Sequence, residues 1–115
     1  MMGPEGNVRV YVAAGITDMR KGFDGLTLMV QEHLRQNPLS GSLYVFRGRR
    51  GDRVKLLWYD RDGCNLYYKR LESGRFVWPR AEKGAVRLSR AQLSMLLEGI
   101  DWRRPRWTSP PDRVG

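Results

Sequence analysis

The densest group of cations in this 115-residue chain lies in residues 47–55. Residues 48–52 have the composition of a turn between two strands, so the cations stand on a predicted β-hairpin. A basic hairpin can lie along a DNA backbone or enter a groove as a two-stranded ribbon. The alternative is a solvated turn in which Asp52 pairs with an arginine. We predict that the hairpin binds nucleic-acid phosphates through five side chains: Arg47, Arg49, Arg50, Arg53 and Lys55.

The net charge of +9 is confined to the second part of the chain. Residues 1–46 hold four basic and four acidic residues, whereas residues 47–115 hold 17 basic and 8 acidic ones. Such asymmetry indicates a polyanionic partner. Seventeen of the 21 basic residues are arginine, whose planar fork suits phosphate and guanine better than lysine does. An arginine-rich codon usage or an acidic protein partner would give the same excess. Four further cations join the predicted nucleic-acid surface: Arg20, Lys21, Lys69 and Arg70.

Aromatic side chains stand beside cations in two of the predicted strands. One run is Tyr67-Tyr68-Lys69-Arg70, and the next strand contains Phe76 and Trp78 after Arg75. Rings on a basic sheet can stack on exposed bases. Rings on strands are more often part of the core, because alternation turns every second side chain inward. The core interpretation is preferred for these rings.

Aspartates are the candidate ligands if the chain is a metal-dependent nuclease, because carboxylates hold the divalent ions of such sites. The candidates are Asp18, Asp24, Asp52, Asp60 and Asp62. However, Asp60 and Asp62 lie at a hairpin turn, where aspartate bonds its own backbone, and Asp18 stands where it can cap a helix. The sequence therefore predicts no metal site, no cofactor and no catalytic residue.

Single residues and missing motifs exclude several other classes. One cysteine, Cys64, and one histidine, His33, cannot form an internal disulfide or a Cys/His zinc site. The sequence has no Gly-x-x-x-x-Gly-Lys-Ser/Thr or Gly-x-Gly-x-x-Gly loop, so nucleotide hydrolysis and dinucleotide binding have no support. Neither a long apolar stretch nor a signal peptide is present, which predicts a cytoplasmic protein without a membrane partner.

The secondary structure predicted from the sequence indicates that a domain of the α+β class positions the candidate side chains. The predicted strands cover 8–12, 42–47, 53–60, 65–71 and 75–78, and form an antiparallel meander of about four to five strands. In the third, alternation turns three apolar residues toward the core: Val54, Leu56 and Trp58.

After the first strand, apolar residues at helical spacing predict one long helix from about 18 to 36, capped by Thr17 or Asp18. The stripe is Met19, Phe23, Leu26, Val30 and Leu34.

A second, short helix and a tail complete the chain. Ser89 and Gln92 form a capping box, and Gly99 suits the end of the helix. We assign residues 1–102 to a single globular domain. Residues 103–115 form a basic, proline-rich tail that we expect to be disordered or to dock on a partner. Because aromatic anchors often mark contact sites, Trp102 and Trp107 are the predicted partner-docking residues.

Four long motifs resemble the small TnpB-type accessory proteins of the bacterial insertion-sequence sixty-six family. They are ITDMRKGFDGL (16–26), VFRGRRGDRVKLLW (45–58), KRLESGRFVWP (69–79) and QLSMLLEGIDW (92–102). They occur in this order over nearly the whole chain, about residues 8–102. The resemblance implies a protein encoded beside a separate DDE-type transposase and needed for full transposition, with no catalytic activity of its own.

The residues and the resemblance together predict a non-catalytic accessory protein of DNA transposition. Its predicted partners are DNA, bound in a salt-dependent way through the basic hairpin, and the cognate transposase with other element-encoded proteins. The alternative is a protein–protein adaptor that docks on the transposase without touching DNA. A metal-dependent nuclease ranks last.

Overall fold

The computed structural model of the chain describes residues 8–103. This part of the chain forms an α+β fold with five strands, the class and strand number that the sequence predicts. Neither of the α-helices in this range is long and apolar enough to cross a membrane. In chain order the elements are β1 (Val10–Ile16), α1 (Phe23–Glu32), a 3-10 turn (Pro38–Ser40), β2 (Leu43–Arg47), β3 (Arg53–Tyr59), β4 (Cys64–Arg70), β5 (Ala85–Leu88) and α2 (Arg90–Leu97).

The strands form one mixed sheet in the order β4-β3-β2-β1-β5. Strands β2, β3 and β4 pair antiparallel, which confirms the predicted meander for this part of the sheet. The first strand departs from it, because β1 runs parallel to β2, with Val10 opposite Leu43. The reason is α1: a helix between two neighbouring strands carries the chain back to the starting end of the sheet as a crossover. Strand β5 pairs antiparallel with the other side of β1.

The first helix begins later than predicted. It starts at Phe23 after Gly22, and no side chain caps it, so the predicted cap by Thr17 or Asp18 is wrong. Residues 17–22 form a loop instead. Asp18 is occupied in that loop by hydrogen bonds from Arg20, which lies two residues further on.

The predicted apolar stripe is confirmed on the part of the helix that faces the sheet. Leu26 and Val30 are fully buried, and Leu34 is buried just after the helix ends at Glu32. Phe23, in contrast, is 48% exposed. The helix is thus shorter than predicted at both ends, and its buried stripe begins at Leu26, about two turns after Met19.

An apolar cluster lies on each face of the sheet. One cluster contains Tyr44, Phe46 and Leu57 and is covered by α1. The other is covered by α2 and by Phe76. Side chains of β3 are therefore buried on both faces of the sheet. The second cluster contains the three residues of β3 predicted to point into the core, which confirms that prediction: Val54, Leu56 and Trp58.

The segment 75–78 is irregular and not the strand that the sequence predicts. Phe76 is buried in the core, and its N–H donates to the carbonyl of Gly51 at 2.9 Å. This bond joins the segment to the β2–β3 turn and not to a neighbouring strand. The fifth strand is β5, whose four residues give too short an alternation for a clear sequence signal.

The capping box that starts α2 is confirmed. Ser89 Oγ accepts the N–H of Gln92 at 3.0 Å, and the Gln92 side chain accepts the N–H of Ser89 at 2.8 Å. Gly99 has φ +76, which is typical of the glycine that follows a helix. The chain then returns to the core at Trp102, which is 8% exposed.

Candidate nucleic-acid interface

The turn between β2 and β3 presents two arginines at its tip. The N–H of Gly48 donates to the carbonyl of Arg53 at 3.0 Å, and the N–H of Gly51 donates to that of Gly48 at 3.1 Å. Gly51 has φ +79, a conformation that glycine adopts at little cost. Arg49 and Arg50 are exposed at the tip. The turn is therefore a hydrogen-bonded support for two guanidinium groups at one end of the sheet.

The loop between β1 and α1 brings a third arginine to the same end. The N–H of Thr17 donates to the carbonyl of Arg47 at 2.8 Å, which joins the loop to the hairpin. Asp18 accepts the backbone N–H of Arg20 at 2.9 Å and its guanidinium at 2.6 Å. The guanidinium bond is the main reason that the pKa of Asp18 is held well below its usual range. Although paired, the Arg20 side chain is 91% exposed and still faces solvent.

Lys55 holds this loop against the sheet. Its Nζ donates to the carbonyl of Met19 at 2.7 Å and to that of Lys21 at 2.8 Å. The ammonium also lies 4.6 Å from the centre of the Tyr68 ring, and the residue is 6% exposed. The structure therefore corrects the prediction that Lys55 contacts phosphate, because its charge is buried and already bonded. Lys55 positions the loop that carries Arg20.

Four arginines surround the cleft between this loop and the hairpin, which we call the hairpin cleft. Its volume is about 620 Å³, its carboxylates are Asp18 and Asp52, and no aromatic ring lines it. Of these four arginines, only Arg20 has an ion-pair partner within residues 8–103. The others keep their charges available for anions, which makes the cleft suited to phosphate oxygens. The four are Arg20, Arg49, Arg50 and Arg53.

Three other predicted cations do not line this cleft. Lys21 is exposed on the loop. Lys69 donates to the carbonyl of Leu97 at 2.6 Å, where it satisfies the end of α2. Arg70 is exposed on the edge strand and pairs with Glu72 at 3.4 Å. The structure thus separates the predicted surface into a compact group at the hairpin and scattered cations elsewhere.

Arg47 lies on the other face of the sheet, beside a second cleft. Its neighbour Phe46 is buried under α1, and successive residues of a strand point to opposite faces. The Arg47 guanidinium lies 6.0 Å from the centre of the Trp78 ring. We call this second cleft the Trp78 cleft. Its other arginines include Arg80 and also Arg103, which is the first residue of the predicted basic tail.

The two tryptophans predicted to dock on a partner have different outcomes. Trp102 is part of the core, and its Nε1 donates to the carbonyl of Val77 at 2.6 Å. Its ring therefore has no surface to offer a partner, and that prediction is corrected. Trp107 and the rest of the predicted tail after Arg103 lie outside the described residues.

Asp60 acts as a turn residue, as predicted. Its Oδ1 accepts the N–H groups of Asp62 and Gly63, both at 2.9 Å, and its Oδ2 accepts the Asn65 amide at 2.9 Å. The Asn65 bond is the largest cause that lowers the pKa of Asp60. Across residues 8–103, no group of three or more His, Cys, Asp or Glu side chains is placed to hold a metal ion.

Replacing Lys55 by methionine is expected to loosen the loop that carries Arg20. The substitution keeps the apolar stem but leaves the carbonyls of Met19 and Lys21 without their charged donor. We expect a loss of about 1–3 kcal/mol in the free energy of unfolding, the usual range for such bonds. Hydrogen exchange at the N–H groups of Arg20 and Lys21 should become faster.

The matched control is Lys69→Met, which removes a lysine bond to a carbonyl at the end of α2. It should affect exchange near Leu97 and leave the N–H of Arg20 protected. If Lys55→Met leaves exchange in residues 17–22 unchanged, the positioning role of Lys55 is wrong.

The comparisons with known proteins give one family match and two similar proteins. The family described as IS66 Orf2 like protein matches residues 8–107. Protein y4hO of Sinorhizobium fredii (strain NBRC 101917 / NGR234) is 58% identical over 115 residues, which cover 99% of this chain and 100% of that protein. Protein y4jC of the same strain is 38% identical over 104 residues, which cover 90% of this chain and 89% of that protein. No solved structure is significantly similar to the chain.

Proposed function

The chain belongs to the IS66 Orf2-like family, and from this premise we propose that it is an accessory protein of transposition that binds DNA directly. The accessory role in transposition follows from the family, which is not a known catalytic family. Direct contact with DNA, through the hairpin cleft, is the finer part of the proposal. That the chain itself catalyses no reaction is also part of the proposal.

The observation that supports DNA binding is the arrangement of the arginines around the hairpin cleft. Arg20, Arg49, Arg50 and Arg53 come from two separate segments and meet at one end of the sheet. The loop that carries Arg20 is bound to Arg47 of β2 and to Lys55 of β3, so the backbone segments that carry the arginines are ordered before DNA arrives. Arginines on a fixed support lose little entropy when they bind phosphate, which favours affinity.

Phosphate contacts of this kind position a protein on DNA but read no sequence. We therefore expect the chain alone to bind random duplex about as tightly as duplex from an element end. Binding should weaken steeply as salt rises, because each neutralised phosphate releases counterions. A cognate transposase would then supply the sequence specificity.

The experiment is a gel shift of the full chain with element-end DNA and with random duplex, each with and without transposase. Salt-dependent binding of both duplexes by the chain alone supports the proposal. A shift that appears when transposase is present, and never with the chain alone, would identify a protein–protein adaptor instead. Magnesium-dependent nicking of either duplex would contradict the non-catalytic role.

A further inference from the structure

The Trp78 cleft has an aromatic wall, which the hairpin cleft lacks. Its volume is about 680 Å³, within the usual range of ligand sites. Four arginines line it and face one carboxylate, that of Glu82. Of the four, Arg103 pairs with Asp101 at 2.9 Å. The others have no ion-pair partner within residues 8–103: Arg47, Arg75 and Arg80.

The Trp78 ring gives this cleft an aromatic wall that is fixed in place. Its Nε1 donates to the carbonyl of Gly51 at 3.0 Å. The ring makes an edge-to-face contact with Phe76, with ring centres 5.8 Å apart and an angle of 72° between the planes. Trp78 is half-buried, so part of the ring remains open to the cleft, and Pro79 lines the cleft beside it. A flat apolar ligand could lie against this wall without moving it.

Arg47 adds an unused donor to the same wall. Its Nε is buried and has no hydrogen-bond partner within the described residues. Buried donors without partners are rare in folded proteins, and each suggests a missing partner such as a ligand or water. The Arg47 guanidinium lies 6.0 Å from the centre of the Trp78 ring, so its positive charge stands beside any ligand that lies against that ring.

We propose that the Trp78 cleft binds an unpaired nucleotide of a DNA strand whose duplex part lies on the hairpin cleft. This inference rests on the proposed function, because it assigns the form of DNA that the same protein recognises. Stacking requires an open base face, which an unpaired base offers and a base inside a duplex does not. The arginines beside the ring suit the phosphates that flank such a base.

The two clefts are joined by the hairpin turn. The Gly51 carbonyl accepts both the Trp78 indole N–H and the Phe76 backbone N–H. Gly51 lies next to Arg49 and Arg50, which line the hairpin cleft. A Cβ added at Gly51 would lie 3.2 Å from Arg75 Cδ, so the segment 75–78 packs closely on the turn. One DNA molecule with a junction between paired and unpaired strands could therefore contact both clefts.

The experiment compares the affinity of the full chain for a blunt random duplex with its affinity for the same duplex carrying an oligothymidine overhang. The overhang is placed at the 3′ end in one substrate and at the 5′ end in another. We expect the better overhang to bind at least about fivefold tighter than the blunt end, the lower range for stacking of one base. Trp78→Leu should bring this ratio, measured on the variant itself, close to one. Arg80→Ala, at an exposed residue, should lower the ratio without affecting the fold.

The matched control is Arg61→Ala, at an exposed arginine in the β3–β4 turn at the other end of the sheet, and it should leave the ratio unchanged. If Trp78→Leu fails to fold, Arg80→Ala still tests the cleft. Equal affinity of the wild type for blunt and overhang duplexes would overturn this inference and leave the proposed function intact. A preference for the overhang that survives in Arg80→Ala and in folded Trp78→Leu would also overturn it. No binding to any of the duplexes would refute the proposed function itself.

Discussion

Replacing Arg49 and Arg50 together by alanine is expected to weaken binding to random duplex roughly 50-fold at about 0.1 M salt. The arginines around the hairpin cleft should neutralise about three to four phosphates, so log K against log salt should have a slope of about −3 to −4. Each lost arginine removes about one unit of that slope. The double variant should therefore have a slope of about −1 to −2. Anisotropy of labelled duplex over a salt series measures both values.

The control removes the same charge from the opposite end of the sheet. Arg9 precedes β1 and Arg61 follows β3, and both are exposed. Because β1 and β2 are parallel and β3 returns antiparallel, these two arginines lie away from the hairpin turn. Arg9→Ala/Arg61→Ala has the net charge of the Arg49/Arg50 variant, so any effect of overall charge is equal in the two.

The comparison of these two double variants decides whether the site is local. If both reduce the salt slope equally, DNA responds to the net charge of +9 and not to the hairpin cleft. If the Arg49/Arg50 variant is folded and keeps the slope of the wild type, the cleft does not bind DNA. Arg49 and Arg50 are exposed at the tip of the turn, and neither has an ion-pair partner within residues 8–103. The fold should therefore tolerate their loss.

Local signals in the sequence predict the parts of the fold that are held by local contacts. The Ser89–Gln92 capping box joins residues three apart, and the alternation of Val54, Leu56 and Trp58 follows from the period of a strand. The parallel pairing of β1 with β2 depends on which strands become neighbours, and this is decided by distant packing. The loop before α1 also depends on a distant residue, because Lys55 bonds two of its carbonyls.

In the candidate site, too, local signals are visible in the sequence and contacts between distant residues are not. The charge run at 47–55 indicates the hairpin, but it does not distinguish Lys55, which is buried, from Arg53, which lines the cleft. Arg53 and Lys55 are two residues apart and share one face of β3, so the distinction depends on how far the 17–22 loop covers that face. The Trp78 cleft depends on contacts between residues more than 20 positions apart, such as Trp78 with Gly51 and Trp102 with Val77. No spacing within one segment reveals such contacts.

Trp102→Ala is expected to have the largest effect on stability. The ring is buried against the cluster under α2, and its Nε1 holds the carbonyl of Val77. Removing a buried tryptophan side chain costs about 3–5 kcal/mol. In a domain of this size, that loss should lower the melting temperature on the order of 12 °C or more. Thermal unfolding followed by circular dichroism measures the shift.

Two matched changes separate the contributions of Trp102 from those of the chain that follows it. Trp102→Phe keeps an apolar ring but loses the bond to Val77, so it should cost far less than alanine, about 1 kcal/mol for the bond. Truncation after Arg103 tests the tail prediction and should leave the melting temperature within about 2 °C, because even 1 kcal/mol would shift it by about 4 °C. If truncation destabilises the protein as much as Trp102→Ala does, the globular unit extends beyond residue 102. If Trp102→Ala leaves the melting temperature unchanged, the tryptophan is not part of the core.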